Sequence, residues 1–156
     1  MAIRSIRTEG DEILKKKSKK VEVIDEKIKE LIKDMIETLH KYDGVGLAAV
    51  QVGILKQIVV IHEGEDKPIY VLINPEIISQ TGVQVVEEGC LSFPNKFAKI
   101  ERPEKIKIKA LDENGKEIII TGKGLLAQAI SHELDHLNGE VFIDKIIPGT
   151  LEIIKQ

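Results

Sequence analysis

The clearest apolar pattern of the chain lies over residues 23–41, where apolar side chains recur at steps of three and four among Asp, Glu and Lys. This spacing puts the apolar residues on one face and is typical of an amphipathic helix. A second helix is predicted from residue 124 to about residue 139, with an apolar side and Gly139 as its C-terminal stop. Both helices are therefore expected to pack one face against a core.

Short runs of β-branched or alternating apolar residues predict strands between the two helices. Residues 57–62 and 69–73 flank a turn-like segment and predict a hairpin or meander, which Pro75 is expected to end. Further strands are predicted over three ranges, which are 84–87, 105–110 and 117–121. Helices before and after a central group of strands indicate one α+β domain, predicted to span residues 1–156.

Composition limits the class of protein. The chain has 156 residues, of which 42% are apolar and 31% are charged, and its formal net charge is -3, so a single soluble globular domain is expected. No segment approaches the roughly 18 uncharged apolar residues that a membrane span needs. The first residues also lack the apolar block of a secretory leader. The sequence therefore predicts neither secretion nor a membrane partner.

Cysteine content and charge add further expectations. A single cysteine, Cys90, cannot form an intramolecular disulfide, so a reducing, cytoplasmic location is expected. The slight net acidity argues against DNA as a partner. Residues 15–20 form a local basic cluster, Lys-Lys-Lys-Ser-Lys-Lys, which we interpret as a solvated helix face, with contact to a phosphate surface as the alternative.

The second predicted helix contains the sequence His-Glu-Leu-Asp-His at residues 132–136. Helix residues four apart lie on one face, so His132 and His136 can offer two imidazole nitrogens to one metal ion. The carboxylate of Glu133 can then take a proton from a water that attacks a carbonyl carbon. The alternative is a solvated helix face with two ordinary histidines.

A catalytic metal site of this type needs three protein donors and one open position. Phe142 stands where an extended zinc-protease motif has its third histidine, and a downstream glutamate ligand would have to be Glu140 or Glu152. Cys90 directly follows a predicted strand and is the remaining soft donor. A Cys-His-His set is therefore favoured, and burial as a small apolar side chain is the alternative for Cys90.

Three motifs stand in order along the chain: Gly-Val-Gly-Leu-Ala-Ala-Val-Gln at residues 44–51, Glu-Gly-Cys-Leu-Ser at residues 88–92, and His-Glu-Leu-Asp-His at residues 132–136. In this order and at this spacing they resemble the motifs of the peptide deformylase family. The glycines of the first motif would let its backbone lie close to a substrate. Three independent motifs are more specific than any one of them.

The resemblance implies removal of the formyl group from the N-terminal formyl-methionine of newly made polypeptides, with release of formate. It implies an α+β fold in which antiparallel strands pack around a central metal-binding helix. The implied metal ligands are Cys90, His132 and His136. Iron(II) is the implied metal in the cell, and zinc, nickel or cobalt can occupy the same place.

The resemblance also assigns residues to the reaction itself. Glu133 is implied as the general base that later protonates the leaving amine. The side-chain amide of Gln51 and the backbone N–H of Leu91 are implied to stabilise the developing oxyanion, which needs N–H donors aimed at it. The candidates for substrate contact are Val45, Gly46, Gly89, Leu125 and Ala129. The three apolar ones would form a methionine pocket, with plain core packing as the alternative.

Two further expectations concern the surroundings of these motifs. Glu88 and Arg102 are expected to form a buried ion pair that braces the strand of Cys90. Phe97 stands where many members of the family carry an arginine that contacts the substrate backbone, so affinity or substrate preference is expected to differ here.

Two other interpretations use the same predicted helix. A zinc endopeptidase would need a long cleft and another ligand, and it leaves the first two motifs unexplained. A non-catalytic, metal-stabilised binding module would need Asp135, His40 or His62 to close the fourth coordination position. Asp135 is expected to point to a different side of the helix from the two histidines. The expected partners are nascent formyl-methionyl polypeptides, and contact with the ribosome is left open.

Overall fold

The computed structural model describes residues 2–154. Its helices are α1 (Glu26–Lys41) and α2 (Leu125–Leu137). Its strands are β1 (Gly46–Ala48), β2 (Ile58–His62), β3 (Ile69–Thr81), β4 (Gln84–Cys90), β5 (Phe93–Arg102), β6 (Lys105–Leu111), β7 (Glu117–Lys123) and β8 (Glu152–Ile153). Short 3-10 helices lie at Glu12–Lys15, Ala49–Val52 and Phe142–Asp144.

The strands form two sheets that meet at α2. One sheet has five strands in the order β1-β2-β3-β6-β7, and the other has three in the order β4-β5-β8. All neighbouring strands in both sheets run antiparallel. Helix α2 contacts strands of both sheets. The predicted α+β class, with antiparallel strands packed around a central helix, is confirmed.

Strand β2 separates two apolar cores because it is buried on both faces. Val59 and Ile61 face the core that lies under α2, whereas Ile58 and Val60 face the core under α1. Burial on both faces explains why β2 is a continuous apolar run in the sequence. The apolar face of α2 fills its core with six side chains, which are Leu126, Ala127, Ala129, Ile130, Leu134 and Leu137. Packing of this face fixes the orientation of the helix.

Helix α1 begins later than the predicted residue 23. The side chain of Asp25 accepts a hydrogen bond from the backbone N–H of Ile28 at 3.0 Å and caps the helix, so that Glu26 is its first residue. In the part of the chain that the model describes, neither α1 nor α2 combines the length and the apolar composition that a bilayer crossing requires.

The prediction that Pro75 ends the second hairpin strand is wrong, since β3 continues to Thr81. Proline has no N–H to give to a strand ladder, and a register shift between Ile73 and Glu76 accommodates it. Strand β5 was not predicted, because its sequence lacks a regular apolar alternation and contains Pro94. The β2–β3 hairpin itself is present as expected, and the predicted strands at 105–110 and 117–121 pair as β6 and β7.

The solvated helix predicted for residues 15–20 is also wrong. Only Lys15 belongs to a short 3-10 helix. The backbone N–H groups of Ser18 and Lys19 donate to the carbonyls of Leu137 and Leu55 at 2.9 and 3.1 Å, which fixes the segment in a non-helical conformation. Its five lysines are all exposed, so the segment does form a basic surface.

Candidate metal centre and active site

A cleft of about 710 Å³ lies between α2, the segment around β1 and the turn that joins β4 to β5. It brings together residues from all three sequence motifs. The predicted site residues that line it are Val45, Gly46, Gln51, Gly89, Cys90, Leu91, Leu125, Ala129, His132 and Glu133. The remaining predicted site residue, His136, lies one helical turn beyond His132 and contacts Cys90. The structure therefore gathers every predicted site residue around one cleft.

Cys90, His132 and His136 offer one sulfur and two nitrogen atoms that all lie within 4.8 Å of one another. Cys90 ends β4, and its Sγ atom is 3.4 Å from Nε2 of His136. Among the described residues, this is the only group of three or more His, Cys, Asp or Glu side chains with such a spacing. A thiolate and two imidazoles form a donor set that suits a transition-metal ion.

The electrostatic environment of the cluster also suits a cation. Burial lowers the pKa of His132, but the neighbouring Glu133 and Cys90 raise it by a larger amount. The net shift of the His132 pKa is therefore upward. A metal ion would satisfy the same attraction for positive charge. Burial, together with His132 and Arg102, lowers the pKa of His136 well below its usual value. His136 is therefore neutral and keeps a nitrogen lone pair for coordination.

Glu88 orients His132 through a short hydrogen bond. The Nδ1 atom of His132 lies 2.6 Å from Oε2 of Glu88, and an ionised carboxylate can only accept, so Nδ1 carries the proton and Nε2 is free to bind a metal. Burial raises the pKa of Glu88, but hydrogen bonds from His132 and Arg102 outweigh it and bring the pKa to about 2. Sequence reasoning missed this orienting role of Glu88.

Arg102 connects this carboxylate to a second one. It donates to Glu88 from Nε at 3.0 Å and from Nη2 at 2.6 Å, which confirms the expected buried pair. Its Nη1 atom donates to Asp135 at 2.6 Å, and Lys145 donates to the other oxygen of Asp135 at 3.1 Å. Asp135 therefore points away from the metal cluster, as its helical position predicted, and cannot close a fourth coordination position.

His40 and His62, the other two candidates for a fourth ligand, lie elsewhere. Their ring nitrogens are 2.9 Å apart, and both side chains lie outside the lining of the cleft. Nε2 of His62 donates to the carbonyl of Lys67 at 3.1 Å. The pair thus connects the end of α1 to the β2–β3 hairpin and contributes no donor to the cluster.

Glu133 is a buried carboxyl group beside the cluster. Its Oε2 atom is 3.9 Å from Nε2 of His132, and its Oε1 atom has no hydrogen-bond partner among the described residues. Burial raises the pKa of Glu133 to about 7, against the opposing effects of His132 and Arg102. A carboxyl group with this pKa can both accept and donate a proton at neutral pH.

Gly46 makes room for this carboxyl group. A Cβ atom at position 46 would lie 2.7 Å from Oε2 of Glu133, closer than atoms can approach without a shift. Gly89 has a similar role on the other side of the cleft, where a Cβ atom would lie 2.7 Å from the ring of Phe97. The ring of Phe97 thus rests on the backbone of β4 and forms part of the cleft lining.

The side chain of Gln51 is buried and held at both ends. The 3-10 helix Ala49–Val52 carries it, and its Oε1 atom accepts a hydrogen bond from the backbone N–H of Ala48 at 2.9 Å. Its Nε2 atom therefore points the other way, 3.1 Å from Oγ of Ser92 and 3.7 Å from Sγ of Cys90. Leu91 lies between Cys90 and Ser92 in the sequence, in the turn that joins β4 to β5.

Known proteins are similar to this chain over nearly its whole length. The family model of polypeptide deformylase matches residues 3–151 of this chain. Peptide deformylase 1 of Clostridium acetobutylicum is 58% identical over 146 residues, which cover 94% of this chain and 96% of the relative. The peptide deformylase of Alkaliphilus metalliredigens is 55% identical over 147 residues, covering 94% of this chain and 99% of the relative.

Solved structures share the fold as well as the sequence. A peptide deformylase from Legionella pneumophila has a TM-score of 0.91 at 46% identity, covering 94% of this chain and 87% of its own. One from Ehrlichia chaffeensis, in complex with actinonin, has a TM-score of 0.92 at 42% identity, with coverages of 95% and 91%. The fold and the three-donor cluster thus define a metal-dependent hydrolase. The chain belongs to the polypeptide deformylase family.

Proposed function

We propose that this chain removes the formyl group from the N-terminal formyl-methionine of newly made polypeptides. The observation that carries the proposal is the position of the buried Glu133 carboxyl beside the Cys90, His132 and His136 cluster, within an open cleft. Membership of the polypeptide deformylase family supports the same reaction. Formate and a polypeptide with a free N-terminal amine are the expected products.

Cys90, His132 and His136 would hold one divalent metal ion, for which we propose iron(II), with zinc, nickel or cobalt able to replace it. When bound, the ion supplies Lewis acidity that polarises the formyl carbonyl and lowers the pKa of a water molecule. An oxidisable ion beside a thiolate predicts that air inactivates the iron form through oxidation of the ion or of Cys90. Retention of full activity by the iron form after storage in air would count against iron.

Glu133 would act as general base and then as general acid. Its carboxylate takes one proton from the attacking water, whose oxygen forms a bond to the formyl carbon. The carbon–nitrogen bond then breaks, and the carboxyl group of Glu133 returns the proton to the leaving amine. A pKa of about 7 suits both steps at neutral pH. The unpartnered Oε1 atom of Glu133 is free to accept this proton.

Gln51 and Leu91 would stabilise the negative charge that develops on the formyl oxygen. The bond from Ala48 to Oε1 of Gln51 directs the Nε2 donor of this side chain toward Cys90. The backbone N–H of Leu91 is proposed as the second donor, from the turn that directly follows Cys90. Removal of one such donor typically lowers kcat by about 10²–10³.

The remaining cleft residues would hold the substrate. Val45, Leu125 and Ala129 are the proposed apolar contacts of the methionine side chain, and all three line the cleft. Gly46 and Gly89 also line the cleft and are the proposed contacts of the substrate backbone. Because nascent chains are the substrate, we also propose a cytoplasmic location. The exposed lysines of residues 15–20 are the proposed surface for ribosome contact, testable by cosedimentation.

Formate release tests the proposed function directly. The iron-loaded protein, purified without oxygen, is expected to release formate from formyl-Met-Ala-Ser and to leave the acetylated peptide intact. Glu133→Ala should lower kcat by about 10²–10⁴ while metal content is retained, because only the proton-transfer group is lost. Glu140→Ala, an exposed acidic position beyond α2, is the matched control. No formate from metal-loaded wild-type protein would refute the proposal.

A further inference from the structure

Residues 2–9 precede the first 3-10 helix and belong to no strand or helix. We call this segment the N-terminal strap. It contacts three parts of the molecule that lie far apart in the sequence: α1, the 3-10 helix Ala49–Val52 and the turn between β4 and β5. Two of these parts carry the proposed oxyanion donors.

The first half of the strap is anchored on α1. The backbone N–H of Ala2 donates to Oδ1 of Asp34 at 2.7 Å, and Nε of Arg4 donates to Oδ2 of the same residue at 2.9 Å. The backbone N–H of Arg4 donates to Oγ1 of Thr38 at 2.9 Å. Asp34 and Thr38 are both buried, so these bonds are largely shielded from water.

The second half of the strap closes a ring of hydrogen bonds. The backbone N–H of Arg7 donates to the carbonyl of Gln51 at 2.7 Å, and that of Glu9 donates to the carbonyl of Ser92 at 2.8 Å. The Nε2 atom of Gln51 donates to Oγ of Ser92 at 3.1 Å. The ring therefore runs from the strap to Gln51, across to Ser92 and back to the strap. Leu91, the second proposed donor, directly precedes Ser92 in the sequence.

We propose that the strap is a positioning element for the reaction. Its two N–H groups, at Arg7 and Glu9, fix Gln51 and the turn of Leu91 at the separation at which both oxyanion donors face one substrate oxygen. This inference rests on the function proposed above. The strap bonds the backbone carbonyls of Gln51 and Ser92, which adjoin the proposed donors, and it is not itself placed on the reacting atoms.

The physical reason is that a donor helps only when it is aimed before the charge develops. Gln51 and Ser92 come from different elements, and the bond between their side chains is not the only connection between them. The strap bonds the backbones of both residues to one short segment and so ties the two elements together. A displacement of about 1 Å at such a site can lower the rate by about 100-fold.

Two variants at each strap position separate the effect of the backbone N–H on kcat from the effect of the side chain. Arg7→Pro and Glu9→Pro each delete one N–H donor, whereas Arg7→Ala and Glu9→Ala keep it and shorten the side chain. For formyl-Met-Ala-Ser, we expect each proline variant to lower kcat about tenfold, with KM within about twofold of wild type. Each alanine variant should stay within about twofold of wild type in both constants. Equal kcat values for the proline and alanine variants would overturn the proposal.

A second comparison shows whether the effect passes through Gln51. In a Gln51→Ala background, Arg7→Pro should lower kcat by less than about twofold, because the donor that Arg7 positions is already gone. A full tenfold loss from Arg7→Pro in that background would mean a general structural effect and would also overturn the proposal. Glu9→Pro should keep most of its effect there, because it bonds the turn of Leu91, whose N–H donor remains.

An NMR measurement keeps the test independent of activity. In the zinc-loaded, ¹⁵N-labelled protein, the side-chain amide signals of Gln51 should move in Glu9→Pro and stay in place in Glu9→Ala. If wild type releases no formate, the proposed function fails, while these signals still decide the role of the strap. If the proline variants do not fold, Arg4→Ala with Arg7→Ala as its control takes their place. Unmoved Gln51 signals in Arg4→Ala would then refute the positioning role.

Discussion

The two walls of the cleft are held in place by different forces. The helix wall, formed by α2 with Glu88 and Arg102, depends on buried ionised side chains that bond one another at 2.6 to 3.0 Å. The strap wall, formed by the N-terminal strap with Gln51, depends mainly on backbone N–H groups. A permanent cation needs ligands of fixed charge and tautomer, whereas a transient oxyanion needs neutral donors that are aimed in advance.

The two kinds of support also differ in what their loss costs. Removing one member of a buried ion pair leaves its partner uncompensated and typically costs about 3–5 kcal/mol. A neutral hydrogen bond contributes about 1 kcal/mol net. Changes in the helix wall are therefore expected to alter both stability and metal binding. Changes in the strap wall are expected to alter kcat with little effect on the free energy of unfolding.

The largest expected effect is at the centre of the helix wall. Cys90→Ala should lose nearly all bound metal and reduce formate release to background, because a thiolate donor is replaced by a methyl group. Metal content by elemental analysis checks this expectation. Iodoacetamide gives an independent measure, since the thiol of Cys90 should react slowly in the metal-loaded protein and rapidly after chelation. Wild-type metal content in Cys90→Ala would remove Cys90 from the ligand set.

The next largest effect should come from the ion network behind the metal ligands. Arg102→Met removes the cation shared by Glu88 and Asp135, and should lower the free energy of unfolding by about 3–5 kcal/mol. Loosening of His132 should also weaken metal affinity about 10- to 100-fold. Urea unfolding and metal titration measure the two effects.

Lys145→Met provides the matched control for this prediction. Lys145 bonds the same Asp135, but its side chain is 40% exposed, so its loss should cost less than about 1 kcal/mol. Similar destabilisation by the two variants would show that burial does not distinguish these ion pairs, and the contrast between the walls would lose its basis.

Much of the helix wall could be predicted from the sequence because its chemistry is local. His132, Glu133 and His136 lie within one turn of one helix, so their spacing alone places them together. The bond between His132 and Glu88 could not be predicted in this way, since it joins residues 44 positions apart and depends on how α2 sits against β4. The residue types were visible, but their relative orientation was not.

Within the strap wall, Gln51 was part of a sequence motif, but the strap itself left almost no trace in the sequence. Any residue except proline offers a backbone N–H, so the bonds from Arg7 and Glu9 have no residue signature. The same reason explains why β5 was missed, since backbone pairing with β4 and β8 holds a strand whose side chains do not alternate regularly. In contrast, α1 and β2 bury broad apolar faces and were predictable from their patterns.

The smallest expected effect concerns Asp34, the buried ionised anchor of the strap wall on α1. Burial raises the pKa of Asp34, but hydrogen bonds from Ala2 and Arg4 outweigh it, so the net pKa lies below its usual value of 3.8. A carboxyl group whose pKa is depressed by folding stabilises the protein fully above the unfolded-state pKa. This contribution is lost as the pH falls through the lower, folded-state value.

Asp34→Asn should therefore lower the free energy of unfolding by about 1–2 kcal/mol at pH 7 and pH 5, since the charge-assisted bond to Arg4 is lost. The difference from wild type should shrink below pH 3.8 and vanish in strong acid, where Asp34 is protonated in both states. Urea unfolding at pH 7, 5 and 3 measures this difference. The control is Glu76→Gln, which removes the exposed ion pair between Lys20 and Glu76 of β3. A difference that stayed constant down to strong acid would mean that the charge of the Asp34 carboxylate does not anchor the first half of the strap.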